Sequence, residues 1–330
     1  SLLAYNFNPF SENTGMKRLL LLAGLAVLTI SSSAYANQNC LGGSECMPRQ
    51  VQQVCTETQE FGCIDWENGV IYALGMGVEN PKYKTVAQKR YSAIRAAQVV
   101  AQRNLLQMVQ EINITSTTQV KDGMLESEEI RTLITGKLRQ SQTVGRPKLQ
   151  RELDGSTTAW VTVKMHMRDI MPGLLGHVPF ATKKYTAPAV TAPAEKAGTT
   201  VEKKAPETKA SVKDPASIIY SGMIIDARGT EVSPAMSPKI YDEQGKEVYG
   251  SAYVDRKFAV EQGIAGYAKK LENALENERV RGKVLTVKAL KTTSKDSSDL
   301  VISSQDADLI RTVGSAQAFL REARVMIILD

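Results

Sequence analysis

The sharpest polar constellation in the sequence is the run Asp226-Ala227-Arg228-Gly229, which follows an apolar stretch typical of a strand. A strand that delivers a carboxylate and a guanidinium to a glycine loop could place both groups beside a small anionic ligand or peptidoglycan. Tyr249, Tyr253 and Arg256 could join the same ligand-binding cleft if the following hairpin folds back over the loop. An Asp-x-Arg pair at a strand end also commonly forms an internal ion pair or caps the next turn, so both interpretations stay open.

Residues that usually catalyse reactions or bind metals are sparse in this chain. Its two histidines, His166 and His177, stand outside the H-x-x-H and H-E-x-x-H patterns, which disfavours a metal pair and histidine-based catalysis. Gly75 and Gly77 lack the third glycine of a dinucleotide loop and precede Asn80-Pro81, so they predict close packing. Neither a nucleophile elbow nor a Walker loop occurs. We therefore expect a non-enzymatic protein with no catalytic residue, no metal and no cofactor.

Residues 16–36 have the parts of a secretory signal peptide. A positive beginning and an apolar core are followed by Ala34-Tyr35-Ala36, which fits the small-x-small pattern cut by signal peptidase. The apolar run is shorter than the about 20 residues that span a bilayer. We predict cleavage between Ala36 and Asn37, export to the periplasm or the outer membrane, and no transmembrane segment in the mature chain. Residues 1–15 are expected to be untranslated or disordered.

All four cysteines, Cys40, Cys46, Cys55 and Cys63, lie in the segment 37–66 that follows the predicted cleavage site. Export favours disulfides, and the cysteine spacing matches no zinc knuckle with paired C-x2-C ligands. Two disulfides are therefore expected, with three pairings open. The net charge of +6 falls to +5 once the residues up to the cleavage site are removed. Because no clustered basic run with interleaved aromatics occurs outside the linker, we expect no nucleic-acid partner.

The chain is divided by residues 181–216, a stretch rich in Ala, Thr, Lys, Glu and Pro. This composition is too polar to bury a core and predicts a disordered linker. Two folded domains are expected on either side, over residues 67–180 and 217–330. The predicted fold class is α+β, with each domain a helix layer on a small antiparallel sheet.

Hydrophobic periodicity predicts the elements of both domains. In the first domain they are a strand (69–78), a helix (85–112), a β-branched run (112–120), a helix (125–138) and two strands (140–153, 157–167) that turn at Asp154-Gly155. In the second they are a strand (217–226), a hairpin (239–242, 247–251), a helix (258–278), two strands (283–290, 299–303), a helix (304–319) and a central strand (323–329). In strand 157–167, every second residue from Ala159 is apolar, which predicts one dry face.

An alanine-rich helix over residues 87–106 follows the run GVIYALGMGV and precedes the predicted hairpin. Over residues of about 67–170 this pattern resembles the Lpp-twenty outer-membrane lipoprotein family and the N-terminal domain of flagellar assembly protein T. The resemblance implies a small α/β unit of an envelope protein, lipid-anchored in some members and built into motor rings in others. The chain departs from the lipoproteins by lacking a lipobox cysteine. The runs IIYSGMIIDARG and RVMIILD resemble an uncharacterised domain of exported bacterial proteins.

These features together predict a non-enzymatic, exported bacterial envelope protein that acts by protein–protein association, in flagellar or outer-membrane assembly. Exposed edges of its small sheets would be the natural contacts. The expected partners are envelope or flagellar proteins or a second copy of the chain, and membrane contact is compatible with this assignment. The alternative is a periplasmic binding module for peptidoglycan or a small anion, using Asp226 and Arg228.

Overall fold

The computed structural model describes residues 43–55, 61–178, 180, 219–313 and 316–330, which all belong to one compact unit, Asn39–Asp330. The predicted signal peptide and its cleavage site, the segment before it, Cys40 and the predicted linker lie outside the described residues. Within the described part of the chain, no helix is long and apolar enough to cross a membrane.

The first sheet has four antiparallel strands in the order β1-β2-β4-β3. They are β1 (Gly62–Asp65), β2 (Val70–Val78), β3 (Gln142–Arg151) and β4 (Thr157–His166). The predicted turn between β3 and β4 is confirmed, and Gly155 takes the positive φ of 81° that such a turn favours. The predicted dry face of β4 is also confirmed, because Ala159, Val161 and Val163 are fully or almost fully buried.

Three helices follow β2 in the sequence. They are α2 (Val86–Gln110), α3 (Val120–Glu126) and α4 (Glu128–Arg139), counted after α1 (Arg49–Val54). Helix α2 begins with a capping box in which the Thr85 hydroxyl accepts the Gln88 N–H and the Gln88 side chain accepts the Thr85 N–H. Helix α4 begins after Ser127, whose hydroxyl accepts the Ile130 N–H. Both predicted helices are therefore confirmed.

Helix α2 packs on β2 at very short range. Its alanines Ala93, Ala97 and Ala101 are fully buried, and Gly75 and Gly77 of β2 face them. A methyl group added at either glycine would overlap the backbone of α2. The glycine pair therefore serves close packing of helix on sheet, as the sequence predicts.

The opposite face of the first sheet is covered by the cysteine segment and α1. A second hydrophobic cluster there joins Cys55, Cys63 and Val51 to Trp160 of β4. The alternation in β4 predicts a polar second face, yet Trp160 and Thr162 on that face are buried because this layer covers them. A disulfide joins Cys55 to Cys63, and Cys46 is also disulfide-bonded. The expectation of disulfides is confirmed for these three cysteines.

The second sheet has seven strands in the order β7-β6-β10-β9-β5-β11-β8. They are β5 (Gly222–Asp226), β6 (Ile240–Tyr241), β7 (Glu247–Tyr249), β8 (Gly266–Ala268), β9 (Val284–Thr292), β10 (Leu300–Ile302) and β11 (Val325–Ile328). The α+β class is confirmed, but this sheet is not antiparallel throughout: β8, β11, β5 and β9 run parallel. A helix on the connection from β8 to β9 carries the chain back across the sheet, so these two strands run in the same direction.

The helices of the second half are shorter than the sequence predicts. They are α6 (Arg256–Gln262), α7 (Leu271–Glu276), α8 (Ser304–Thr312) and α9 (Ala316–Arg321). Helix α5 (Met171–Leu174) precedes them and belongs to the first half. The predicted helix 258–278 is wrong, because Gly263 ends α6 at φ 83° and the chain then enters β8. Helix α8 is capped by Ser303, whose hydroxyl accepts the Asp306 N–H.

The two sheets are joined by backbone and core contacts. The predicted strand 112–120 does not form; instead the Asn113 C=O accepts the Met236 N–H at 2.9 Å, and the Ile114 C=O accepts the Ser237 N–H at 2.8 Å. One continuous hydrophobic cluster contains buried residues of both sheets. The two halves are therefore in direct contact, which the sequence left open.

Candidate functional site

The predicted pair Asp226 and Arg228 lies at the end of β5 and is internally satisfied. Arg228 Nη2 lies 2.6 Å from Asp226 Oδ2, and Nε donates to Oδ1 at 2.8 Å. The hydrogen bond from Arg228 holds the pKa of Asp226 below its ordinary value, although partial burial opposes this. The geometry is that of the internal ion pair, so neither charge is left uncompensated for a ligand.

The other three predicted ligand-binding residues do not converge on this pair. Tyr249 is fully buried, and its hydroxyl donates to the Ile264 C=O at 2.5 Å. The Tyr253 hydroxyl donates to the Glu247 C=O at 3.0 Å, and Arg256 lies at the start of α6 beside another cavity. The physical reason is the strand order: the β6–β7 hairpin forms one edge of the second sheet, several strands away from the end of β5.

A groove between the two sheets is the more convincing candidate. It consists of two adjoining cavities, of about 340 and 590 Å³, whose walls share Trp66, Glu67, Asn68 and Tyr267. We call it the Trp66 groove. One wall is the turn after β1, and the other is formed by β8 and the chain after β8 and β11. Ligand sites commonly lie at such junctions and beyond the carboxyl ends of parallel strands.

Tyr267 holds the two walls of the Trp66 groove together. Its ring meets the Trp66 ring edge-to-face with centroids 5.3 Å apart. Its hydroxyl accepts the Ala235 N–H at 3.0 Å and donates to the Ala235 C=O at 2.7 Å. Burial raises the pKa of this hydroxyl well above its ordinary value, so it stays protonated as a donor. Tyr267 therefore anchors β8 to the segment that pairs with Asn113.

Tyr267→Phe should lower the free energy of unfolding by about 2 kcal/mol, because both buried backbone groups of Ala235 lose their partner. The ring contact with Trp66 remains in this variant. Urea unfolding followed by circular dichroism measures the change. Tyr91→Phe, at a mostly exposed tyrosine of α2, serves as the control and should leave stability unchanged. Equal effects of the two substitutions would contradict the anchoring role.

The outer edge of β8 faces the Trp66 groove and pairs with no further strand of the described residues. The Leu329 N–H donates to the Ala268 C=O at 2.9 Å, so Ala268 directs its backbone groups to β11. Backbone groups alternate in direction along a strand, so the N–H and C=O of Tyr267 point the opposite way. Neither of them has a hydrogen-bond partner among the described residues. Because buried backbone groups are nearly always paired, this edge is prepared for a further strand or for water.

Arg279 closes one end of the groove by joining two chain turns. Its guanidinium donates to the C=O groups of Gly263 at 3.3 Å, Ala323 at 2.9 Å and Gln262. Burial lowers the pKa of Arg279 to about 10, so it remains charged at neutral pH. No carboxylate of the described chain forms an ion pair with it. Arg279 satisfies the carbonyls at the end of α6 and after α9.

The groove is acidic although the chain as a whole is basic. Its walls carry three basic residues, Arg168, Lys269 and Arg279. The acidic residues are Asp65, Glu67, Glu231, Glu261, Glu278 and Asp330. The chain carries a net charge of +6. This contrast favours a partner with positive side chains.

The second half matches a known bacterial domain. A family model described as Treponema pallidum Tp0624, second domain, matches residues 222–330. The matched region contains all seven strands of the second sheet and therefore one wall of the Trp66 groove. The expectation of a bacterial domain in this half is confirmed, whereas the comparisons do not support the resemblance of residues 67–170 to the Lpp-twenty family or to flagellar assembly protein T. No curated protein matches the chain.

His166 contributes to the wall of the groove. Burial and the neighbouring positive charges of Arg168 and Lys164 lower the pKa of His166, which keeps it neutral at ordinary pH. His177 lies in a short 3-10 turn after α5. Within the described residues no group of histidine, cysteine and carboxylate side chains is arranged to hold a metal ion.

Proposed function

We propose that the protein is an exported bacterial envelope protein that acts by protein–protein association, with the Trp66 groove as the place where a partner polypeptide binds. The observation that carries this proposal is the open edge of β8 inside a walled groove. An extended segment can pair with such an edge through its backbone, while the walls select its side chains. This function needs no catalytic group.

The chemistry of the walls defines the partner segment. Trp66 offers an aromatic surface opposite β8, and the acidic residues of the groove favour lysine or arginine at alternate positions of the bound strand. Envelope and flagellar assembly proteins are the proposed source of the segment. The alternative, an anion or peptidoglycan site at Asp226 and Arg228, is less well supported because the two side chains neutralise each other.

Site-specific photo-crosslinking in the native bacterium tests the association. A photoreactive residue at Glu231 or Glu278, two exposed positions of the groove walls, should give an adduct of one defined polypeptide. The control position is Lys295, on an exposed loop outside the groove. Mass spectrometry identifies the adduct. Adducts that are absent at both groove positions, or equally abundant at Lys295, would overturn the groove as the contact site.

Cell fractionation tests the location separately. The protein should be recovered with periplasmic or outer-membrane material, in a form whose Cys55–Cys63 disulfide is intact before any reductant is added. Recovery in the cytoplasm with free thiols would overturn the export part of the proposal.

A further inference from the structure

The surface of helix α2 carries an uninterrupted excess of positive charge. Between residues 80 and 110 the sequence contains no aspartate or glutamate and six basic residues, Lys82, Lys84, Lys89, Arg90, Arg95 and Arg103. Lys89 pairs with Glu79 at 2.9 Å. The other five basic side chains form no ion pair with any described residue. Their charge is therefore available to a partner.

Apolar side chains are exposed along the same face. Tyr91, Arg95, Val99 and Arg103 follow each other at intervals of four residues, so they form one outward row on the helix. Tyr91 is 66% exposed and Val99 is 59% exposed. Large exposed apolar side chains set among basic ones mark an interaction surface rather than a purely solvated face.

The helix is held rigidly from behind. Its inner face is locked onto β2 by the alanine and glycine contacts, so the outward row cannot turn inward. A helix of 25 residues is about 37 Å long. The face is therefore a long, straight and basic platform with interspersed tyrosine and valine.

We propose that the outward face of α2 binds the surface of an anionic lipid bilayer. A bilayer offers negative headgroups along the whole length of the helix and, just beneath them, an apolar boundary at which tyrosine is favoured. A bilayer therefore matches both the basic side chains and the exposed Tyr91 and Val99 of the row, and an acidic protein is the alternative outcome of the test. The inference uses the exported location given under the proposed function, but the Trp66 groove plays no part in it.

Vesicle binding by the purified mature chain tests the proposal. The protein should co-sediment with vesicles that contain phosphatidylglycerol, should not do so with pure phosphatidylcholine, and should dissociate at high salt. The double variant Arg95→Glu, Arg103→Glu should bind the anionic vesicles less tightly by a factor on the order of 100. The matched control is Lys291→Glu, Lys295→Glu, which changes the net charge equally at exposed sites away from α2 and should bind normally.

A reporter on the helix separates a lipid surface from an acidic protein. The indole introduced by Tyr91→Trp should be quenched by brominated lipids in anionic vesicles, because the proposal places it at the headgroup boundary. Equal loss of binding in the two double variants would overturn the α2 face. Tight binding to soluble polyglutamate, without quenching by brominated lipid, would overturn the lipid proposal and assign the face to an acidic protein. Each of these results leaves the groove crosslinking experiment unaffected.

Discussion

Gly75→Ala should destabilise the protein by about 3 kcal/mol or more, because the added methyl would overlap the backbone of α2 at Ala97 and Ala101. Neither partner can move away easily. Strand β2 is hydrogen-bonded to β1 and β4, and the helix is held by a row of fully buried alanines. A clashing side chain could change rotamer, whereas clashing backbone must shift the whole helix. We expect loss of the first sheet, or a large fall in the urea midpoint followed by circular dichroism.

Gly136→Ala is the matched control and should have the opposite sign. Gly136 lies inside α4, and a methyl there meets no atom within 4 Å. Alanine favours a helix over glycine by about 1 kcal/mol, so this variant should be slightly more stable than the native protein. If Gly75→Ala proved as stable as Gly136→Ala, the close approach of α2 to β2 would be contradicted.

The first half of the fold could be predicted well because its signals are local. The glycine pair in β2 and the alanine row in α2 lie close together in the sequence and pack on each other, and the alternation in β4 marks its buried face whichever element covers it. The second half was harder. Parallel pairing of β5 with β9 and β11 joins segments that are far apart in the sequence. No local sequence pattern indicates whether a strand runs parallel or antiparallel to its neighbour. Gly263 and Gly266 were local signs that the predicted helix 258–278 should be broken.

The candidate site likewise has a part that the local sequence predicts and a part that it does not. Asp226 and Arg228 are two residues apart, so the sequence could reveal the pair. An internal ion pair was one of the two interpretations that this spacing allowed. The Trp66 groove joins Trp66 to Tyr267 and Arg279, which only the folded chain brings together. The basic face of α2 was missed because its arginines, Arg95 and Arg103, are separated along the sequence and form no dense cluster. The sequence signal that indicates this face is the absence of aspartate and glutamate over the predicted helix.

Asp242→Asn should cost about 3 kcal/mol at neutral pH, because it removes the carboxylate of a buried ion pair. The Asp242 side chain is 2% exposed, and its Oδ2 lies 2.6 Å from Nη2 of Arg311 on α8. Its Oδ1 also accepts the backbone N–H groups of Gln244 and Lys246 in the β6–β7 turn. The substitution leaves Arg311 with only the exposed Asp308 as a partner. Helix α8 should therefore loosen from this edge of the second sheet.

The lowered pKa of Asp242 determines how the stability difference between the native protein and Asp242→Asn changes with pH. Burial alone would raise the pKa of Asp242, but the hydrogen bonds from Arg311 and the turn N–H groups outweigh it and hold the pKa below its ordinary value. A lowered folded-state pKa adds stability above the unfolded-state value of about 3.9, and that stability is lost as the pH falls through the folded-state pKa. The stability difference between native protein and Asp242→Asn should therefore be full at neutral pH and shrink in acid. Urea unfolding over a pH series measures it, with Asp308→Asn as a control that should follow the native curve. A difference in the free energy of unfolding that stays constant down to acidic pH would show that the ionised carboxylate of Asp242 does not hold α8 on the sheet.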